Sequence, residues 1–514
     1  MKIYKGTIIT CDKNNTVAGY LVEDNGEILF VGDELDDKYL GHEIIDIKDK
    51  AIIPTFVDSH IHFASFATFY SGLNVMEATS NEELFMMLKD FVENTKDKTI
   101  IAFGASPHSV REKRLVTREE LDSVCKDRPI FLVKYDGHAC VLNSALLNKV
   151  KDKIKNLRGY HEDTGEMNQE AFFAVSDYIT NSISIINLIK NMQNAVDYLA
   201  SKGIAHIHSV SGVGFTRDLD VDLERWFAKG LENGIDLRVY FQTMDVKAAV
   251  KRKLDCIGGC FKCALDGCFG SKDAALRKPY NLSDDRGVLY YSDEEVIRFC
   301  IEANRANLQI QMHAIGDAAF DQATKALKAA LDDYPRENHR HCIIHACLPT
   351  EEGIEICKDY NILLPVQSAF IDWKQEPNKY LEEILGERCQ KLNPLRTFID
   401  NKITISAGSD GPCTDPNPID WIYKACNNGK QSLTILEAIK MCTYNGYYTS
   451  FKEDKYGSLE AGKKADFLIL NKNPLALDTE LLNTLKIEKM LLGGRDYKEV
   501  NQNPIIQVLK GIIK

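Results

Sequence analysis

Eight short apolar segments, separated by longer amphipathic stretches, constrain the fold of this 514-residue chain more than any other feature. An apolar strand followed by an amphipathic helix is the repeating unit of a parallel sheet, and eight such units close a (β/α)₈ barrel. We therefore predict an α/β protein with a TIM-type barrel over residues 51–454. The candidate strands begin at Ala51, Gly203, Asp236, Gly259, Leu308, His341, Ile362 and Ile403.

Two parts of the chain do not fit the barrel repeat. Residues 63–201 separate the first two candidate strands, whereas a βα unit needs only about 30 residues. We predict an inserted subdomain there, after strand 1. Both ends of the chain are rich in β-forming residues, and Asn25-Gly26 indicates a hairpin. Residues 1–50 and 455–514 are therefore expected to form one small β-sandwich domain.

Composition and charge narrow the class of protein. Apolar residues make up 44% of the chain and charged residues 27%, as in a folded soluble protein. The formal charge of −12 argues against nucleic acid and anionic membranes as partners. The fifteen cysteines are irregularly spaced, and the start of the chain contains no signal-peptide pattern. We expect a cytoplasmic protein with free thiols.

Several candidate strands end in a side chain that can bind a metal. The first ends in His60-Ile61-His62, whose two histidines point to the same side of a strand. The fifth ends at His313, the sixth at His345 and the eighth at Asp410. The carboxyl ends of barrel strands gather at one face, so these distant residues are expected to converge. Taken singly, each histidine could be a structural residue, and Asp410 could cap a helix or turn.

The segment around the fourth strand, "CIGGCFKCALDGC", leaves its chemistry open. Cys260 and Cys263 have the spacing of a zinc-binding pair, and Cys256 and Cys268 flank them. Residues three apart on a regular strand diverge, however, and cysteine also packs as a small buried apolar side chain. Structural packing, a thiolate metal site and a redox role all remain alternatives for these cysteines.

Together these motifs resemble the amidohydrolase superfamily, and in particular the type 3 branch that includes N-substituted formamide deformylases. The resemblance covers nearly the whole chain. The stretches that carry it are "FVDSHIHF", "DGHACVLNS", "FKCALDGCFGSKDAAL", "HAIGDAAFDQAT", "IIHA", "AGSDGP" and "GSLEAGKKADFLIL".

The resemblance implies a site with two divalent metal ions, zinc above all. Its fourth strand carries a lysine in the context Lys-x-x-x-Asp-Gly, here Lys262, which CO₂ would convert to a carbamate that bridges the ions. A hydroxide between the ions would attack the substrate, with Asp410 as the proton shuttle. The metal ligands that the resemblance implies are His60, His62, Lys262, His313, His345 and Asp410.

The function expected from this resemblance is hydrolysis of a C–N bond in a non-peptide amide, N-acyl or N-formyl compound. A catalytically silent barrel with a regulatory or ligand-binding role is an alternative, as is a related metal-dependent deaminase or isomerase. The expected partner is a small-molecule substrate, and a homodimer is compatible with the sequence. The substrate-binding residues predicted are His138, His208 and Asp266, and the inserted aromatics that form either an apolar pocket or a helix core are Phe63, Phe66, Phe69 and Tyr70.

Overall fold

A computed structural model of the protein describes residues 1–213 and 215–514. The strands are, in chain order, β1 (Lys2–Ile9), β2 (Val17–Asp24), β3 (Glu27–Gly32), β4 (Glu43–Pro54), β5 (Phe56–Ile61), β6 (Leu73–Asn74), β7 (Ile100–Ala105), β8 (Ile130–Lys134), β9 (Ala139–Leu142), β10 (Glu166–Asn168), β11 (Ile204–Ser211), β12 (Asp236–Phe241), β13 (Cys256–Ala264), β14 (Gln309–Ala314), β15 (Cys342–His345), β16 (Leu364–Val366), β17 (Ile405–Ala407), β18 (Phe467–Leu470), β19 (Ile487–Leu492) and β20 (Arg495–Asp496).

The α-helices lie mainly between the strands of the central barrel and in the segment that follows β5. They are, in chain order, α1 (Phe63–Tyr70), α2 (Asn81–Asn94), α3 (Arg118–Val124), α4 (Ser144–Ile154), α5 (Gln169–Ser182), α6 (Ile185–Ser201), α7 (Leu219–Gly230), α8 (Val246–Lys251), α9 (Asp293–Arg305), α10 (Asp317–Asp333), α11 (Glu351–Asp359), α12 (Asn378–Leu385), α13 (Leu395–Asp400), α14 (Pro418–Cys426), α15 (Ile435–Cys442), α16 (Tyr444–Thr449) and α17 (Pro504–Ile513).

Each of the eight segments that the sequence predicts contains a barrel strand, but the structure divides the first: residues 51–54 belong to β4 in the sheet formed by the chain ends, and only β5 enters the barrel. Six of the barrel strands form one parallel sheet in the order β5-β11-β12-β13-β14-β15, and β16 pairs in parallel with β17. Backbone hydrogen bonds join the two sheets on both sides: Ile343 N donates to Leu363 O at 3.0 Å, and Asp410 N donates to His60 O at 2.8 Å. The eight strands thus follow one another around a nearly closed ring, which brings the ends of β5 and β17 together.

The ends of the chain meet in a seven-stranded sheet, ordered β20-β19-β18-β4-β1-β2-β3. The predicted hairpin is present between β2 and β3, with Asn25 at φ 50° and Gly26 at φ 84°. A side chain at Gly26 would also collide with Gly493, since an added Cβ would lie 2.8 Å from its carbonyl oxygen. A second sheet, β10-β9-β8-β7-β6, lies within the long segment after β5. The predicted domain boundaries and the sandwich arrangement stay predictions.

The helices of this long segment pack their apolar sides inward. In α6, for example, Leu188, Met192 and Leu199 are buried in the main core. Ser80 caps α2 by accepting a hydrogen bond from Glu83 N at 3.2 Å. Among the described residues, no single helix is both long and apolar enough to cross a membrane. Helices α5 and α6 meet the criteria of length and composition only when taken together, and a bend of 98° separates them.

Candidate metal centre

Three side chains from two strand ends meet at the carboxyl edge of the barrel. His60 lies near the end of β5 and His62 directly follows it, while Asp410 follows β17. The Nε2 atoms of His60 and His62 lie 3.2 and 3.3 Å from the same carboxylate oxygen, Asp410 Oδ1. All three side chains are buried. The structure thus brings together two imidazoles and one carboxylate, as the sequence pattern predicts.

Two further predicted histidines adjoin this group. His313 lies on β14, His345 ends β15, and their ring centroids are 4.5 Å apart. The ring of His345 is also 5.4 Å from that of His60. Five of the six predicted ligands therefore form one contiguous cluster.

Lys262 lies outside this cluster. Its ammonium donates hydrogen bonds to Gly212 O at 2.7 Å and to the Asp218 carboxylate at 3.1 Å, and about half of the side chain is exposed. The structure therefore places Lys262 apart from the other five predicted ligands. A carbamate on this nitrogen would form away from the histidines.

Cys260 takes the place expected for Lys262. Its Sγ lies 3.3 Å from His60 Nε2 and 3.7 Å from His345 Nε2. The ligand atoms of four residues all lie within 4.8 Å of one another, a spacing that one metal ion can span. These four residues are His60, Cys260, His345 and Asp410.

A bulge in β13 explains this exchange. Gly259 pairs with Met312 of β14, but the next paired residue of β13 is Ala264, which faces His313. Phe261, within the unpaired part, has a left-handed backbone at φ 45°. Side chains alternate between the two faces only along a regular strand, so a bulge resets their directions. As a result Cys260 points into the cluster and Lys262 points away from it.

The backbone is strained at two of the predicted ligands. His345 has φ 73° and Asp410 has φ 55°, values that side chains other than glycine adopt at a cost of about 1 to 3 kcal/mol. His345 is further held by a 2.6 Å hydrogen bond between its Nδ1 and Gln367 Oε1. Such a contact fixes the direction of the Nε2 atom, as it does in metal sites.

Asp266 positions His313 instead of lining a substrate pocket. Its buried carboxylate accepts hydrogen bonds from the backbone nitrogens of Ala275, Ile315 and Gly316 at 2.8 to 3.0 Å. It also lies 3.5 Å from His313 Nε2, which in turn lies 3.2 Å from Gly267 O. The structure therefore shows the Asp266 oxygens occupied within the protein, and substrate binding by Asp266 stays a prediction.

The ionisation states of the cluster suit a divalent cation. Burial lowers the pKa of His60 and of His345, which favours neutral rings. Burial alone would raise the pKa of Asp410, but hydrogen bonds from His60 and His62 hold it well below its usual value. The pKa of His313 is raised, because the attraction of Asp266 exceeds the opposing effect of burial. A neutral imidazole and an ionised carboxylate are the forms that bind metals.

The donor types of the cluster fit a divalent metal ion. The cluster is formed by Nε2 of His60 and of His345, the thiol of Cys260 and the carboxylate of Asp410. Imidazole, carboxylate and thiol donors in one buried cluster match the ligands of zinc. The residues present thus fit a metal centre.

A cavity with apolar walls opens onto the cluster. Its floor contains His62, His313, His345 and Asp410. Phe69 is the member of the predicted aromatic group that lines it; Phe63 and Phe66 are buried in the main core, and Tyr70 is partly exposed. The other aromatic residues of the wall are Phe103, Phe131, Phe172, Phe173, Phe215 and Phe261.

Of the three predicted substrate-binding residues, His138 lines this cavity. Its ring centroid is 5.8 Å from that of Phe261. His208 does not belong to the cavity wall; it is buried in the barrel interior, with ring centroids 4.9 Å from His206 and 6.0 Å from Tyr240. His208 lies in the middle of β11, below the strand ends, and its role in substrate binding stays a prediction.

One polar part of the cavity wall was not predicted. Lys134 Nζ lies 2.7 Å from Asp136 Oδ2, and both side chains are almost fully buried. Burial opposes ionisation of Asp136, but the charge of Lys134 lowers its pKa to about 2. Tyr135 OH and Gly270 N donate to Glu376 Oε1 nearby, at 3.1 and 2.9 Å. Asp136 lines the cavity, so its ion pair with Lys134 fixes one charged group at the wall.

Sequence inspection left the role of Cys260 open and missed Gln367, for different reasons. Cys260 is visible as one of four nearby cysteines, but the bulge that turns it inward leaves no mark in the pattern of apolar residues. Gln367 follows β16, and its contact with His345 joins residues 22 positions apart. A polar residue directly after a buried strand was the available signal.

Comparison with known proteins agrees with this architecture. The model of the amidohydrolase family matches residues 43–496. The chain therefore belongs to the amidohydrolase family.

Individual relatives are distant but align over most of their length. The chain is 24% identical to the putative amidohydrolase YtcJ of Bacillus subtilis, over 90% of this chain and 92% of that protein. It is 23% identical to an N-substituted formamide deformylase of Arthrobacter pascens, over 96% and 97%. Among solved structures, an uncharacterized metal-dependent hydrolase of Pyrococcus horikoshii has a TM-score of 0.74 and 25% identity, covering 93% of this chain and 99% of that one.

Proposed function

We propose that this protein hydrolyses the C–N bond of a non-peptide amide, an N-acyl or N-formyl amine, in a metal-dependent reaction. One observation carries the proposal: four histidines and one aspartate, drawn from four separate strand ends, meet at the floor of a cavity. Such a cluster requires residues some 350 positions apart to converge, and a structural role does not require so many metal-binding groups in one place.

The residues proposed to hold the metal fall into two groups. In the first group, His60 and His62 both contact the same oxygen of Asp410. The second group, His313 and His345, lies beside the first, so two ions are proposed. Zinc suits these donors best. A divalent ion in this position would polarise the substrate carbonyl and make a bound water acidic near neutral pH.

Asp410 is proposed to move the proton. Hydrogen bonds from His60 and His62 lower its pKa and keep the carboxylate ionised, the form that would take a proton from a water made acidic by the metal. Asp410 lines the cavity, where the protonated carboxyl would return that proton to the leaving nitrogen. The strained backbone at φ 55° and the two imidazole contacts keep the carboxylate in this position.

The cavity walls favour an apolar substituent on the substrate. Phenylalanine side chains surround the floor, and burying an aromatic group among them is favourable by about 25 cal/mol for each Å² removed from water. His138 at the wall is placed to donate a hydrogen bond to a polar atom of the substrate. An N-aryl or N-arylalkyl formamide fits these walls, which agrees with the relative named as an N-substituted formamide deformylase.

The test is a substrate panel on protein whose metal content has been measured. Four compounds separate the two parts of the proposal: the formyl and acetyl derivatives of benzylamine and of methylamine. We expect release of amine, with the benzyl compounds preferred, and loss of activity on chelation that zinc restores. Less than one equivalent of metal in unchelated protein, or turnover confined to deamination of cyclic amidines, would overturn it.

A further inference from the structure

We propose that the Cys260 sulfur is a metal ligand of this centre, in the place for which the family resemblance implies Lys262. The inference rests on the proposed metal-dependent function and adds the identity of one donor. It predicts a sulfur atom bound directly to the metal.

The position of the sulfur carries the proposal. Cys260 Sγ lies 3.3 Å from Nε2 of His60, which belongs to the first proposed group of ligands. It lies 3.7 Å from Nε2 of His345, which belongs to the second. The sulfur is thus in contact with one imidazole of each group, and together with Asp410 these residues form the group whose ligand atoms one ion can span.

The surroundings of Cys260 differ from those of a packing cysteine. A buried cysteine that only fills space behaves as a small apolar side chain. The sulfur of Cys260 faces two ring nitrogens and lies within 4.8 Å of an oxygen of the Asp410 carboxylate. Cys263, three residues further on, is equally buried yet does not belong to this group. The bulge in β13 thus sends one of the two cysteines toward the histidines.

The alternative donor is committed elsewhere. The Lys262 ammonium is bound to the Gly212 carbonyl and the Asp218 carboxylate, and a charged ammonium has no lone pair for a metal or for CO₂. Cys260 needs no added group, because loss of the thiol proton to solvent gives a thiolate that binds the metal directly. A thiolate also favours zinc over magnesium or manganese.

X-ray absorption on the zinc-loaded wild-type protein tests the inference without any variant. A zinc–sulfur distance of about 2.3 Å is separable from zinc–nitrogen and zinc–oxygen distances of about 2.0 to 2.2 Å. We expect a sulfur scatterer in the first shell. Zinc-loaded protein with nitrogen and oxygen neighbours alone would overturn the inference and leave the proposed hydrolase function standing.

Cobalt substitution locates the sulfur in the sequence. We expect the cobalt protein to show the near-ultraviolet charge-transfer band of a thiolate ligand, and Cys260→Ser to lose it. Cys263→Ser is the matched control and should keep the band, as should Lys262→Ala. Persistence of the band in Cys260→Ser would overturn the assignment. Lys262 would be the ligand instead if Lys262→Ala bound less metal than the wild type and if metal binding by the wild type required CO₂.

The outcomes separate the two proposals. If the wild-type protein binds neither zinc nor cobalt, the proposed function fails. If it binds cobalt without the charge-transfer band, the assignment of Cys260 fails alone. Circular dichroism of Cys260→Ser shows whether the variant is folded. If it is not folded, X-ray absorption on the wild-type protein still tests whether sulfur is bound to the metal.

Discussion

The edge formed by β5 and β17 and the edge formed by β13 belong to the same barrel, but only the first follows the simple alternation of strand side chains. At the first edge, His60 and His62 both reach Asp410, as residues two apart on a strand should. At the second edge, Cys260 and Lys262 are also two apart, yet one points into the cluster and the other toward Asp218. The bulge between them makes the difference.

This contrast shows what a spacing rule can and cannot establish. Alternation predicts direction as long as each residue of a strand has a partner on the next strand. Phe261 interrupts the pairing, and its ring occupies the cavity wall at 4.9 Å from the ring of His62. The bulge therefore has two effects. It places the ring of Phe261 beside the cluster, and it makes Cys260 rather than Lys262 face the histidines.

The largest effect is expected at the regular edge. Asp410→Asn keeps the shape of the side chain but removes the negative charge that accepts the proton, so kcat/KM should fall by about 10³- to 10⁴-fold. The measurement is steady-state kinetics on the best substrate of the panel, at known metal content. Asp218→Asn at the bulged edge is the control and should stay within a few-fold of the wild type. Equal losses in both variants would contradict the contrast.

The second effect concerns stability behind the bulged edge. Gly212 joins Lys262 to a buried pair of acids, because Asp220 accepts its N–H at 2.5 Å. On α7, burial and the neighbouring charge of Asp220 raise the pKa of Glu224 to about 8. The folded protein thus holds this proton to a higher pH than the unfolded chain does. The part of the folding free energy that comes from protonated Glu224 is lost progressively between about pH 4.5 and pH 8, and it is not regained above that range.

Glu224→Gln removes this titration. The variant and the wild type should have similar relative stability near pH 4.5, and the variant should gain about 4 to 5 kcal/mol relative to the wild type by pH 8.5, because each pKa unit corresponds to about 1.36 kcal/mol. Chemical denaturation at the two pH values measures it. A difference between variant and wild type that does not change with pH would show that Glu224 is ionised in the folded protein.

A smaller effect is expected where a hydrogen bond orients a ligand. Gln367→Met preserves size but removes the acceptor of His345 Nδ1, so zinc affinity should fall about 10- to 100-fold. Competition with a chelator measures the affinity, and the band of the cobalt protein should persist. Gln375→Met, another buried glutamine but one bound to the backbone of Met76, is the matched control. Equal affinities in both variants would mean that strain at φ 73° alone orients His345.

Much of the architecture was predictable because it depends on local patterns. Apolar runs gave the eight barrel strands, and Asn25-Gly26 gave a hairpin in the terminal sheet. The cluster of His60, His62, His313, His345 and Asp410 followed from the rule that parallel strands end at one edge. The surroundings of Asp266 and His208 were not predictable, because a motif does not reveal which backbone groups occupy a carboxylate, nor how deep a side chain lies.

The smallest effect is expected at Lys262 itself, and it sharpens the comparison most. Its ion pair with Asp218 is partly exposed, and such pairs contribute about 0 to 1 kcal/mol. Lys262→Met should therefore lower the free energy of unfolding by no more than about 1 kcal/mol, with zinc stoichiometry unchanged in the presence or absence of added bicarbonate. Metal analysis and denaturation measure the two quantities. A lysine that carried a bridging carbamate would behave differently, since its removal would empty the centre and expose His60 and His345 as unpaired buried groups. Lys262→Met should be nearly silent if Lys262 only pairs with Asp218, and severe if Lys262 is a carbamate ligand. The variant therefore distinguishes these two positions of the Lys262 side chain.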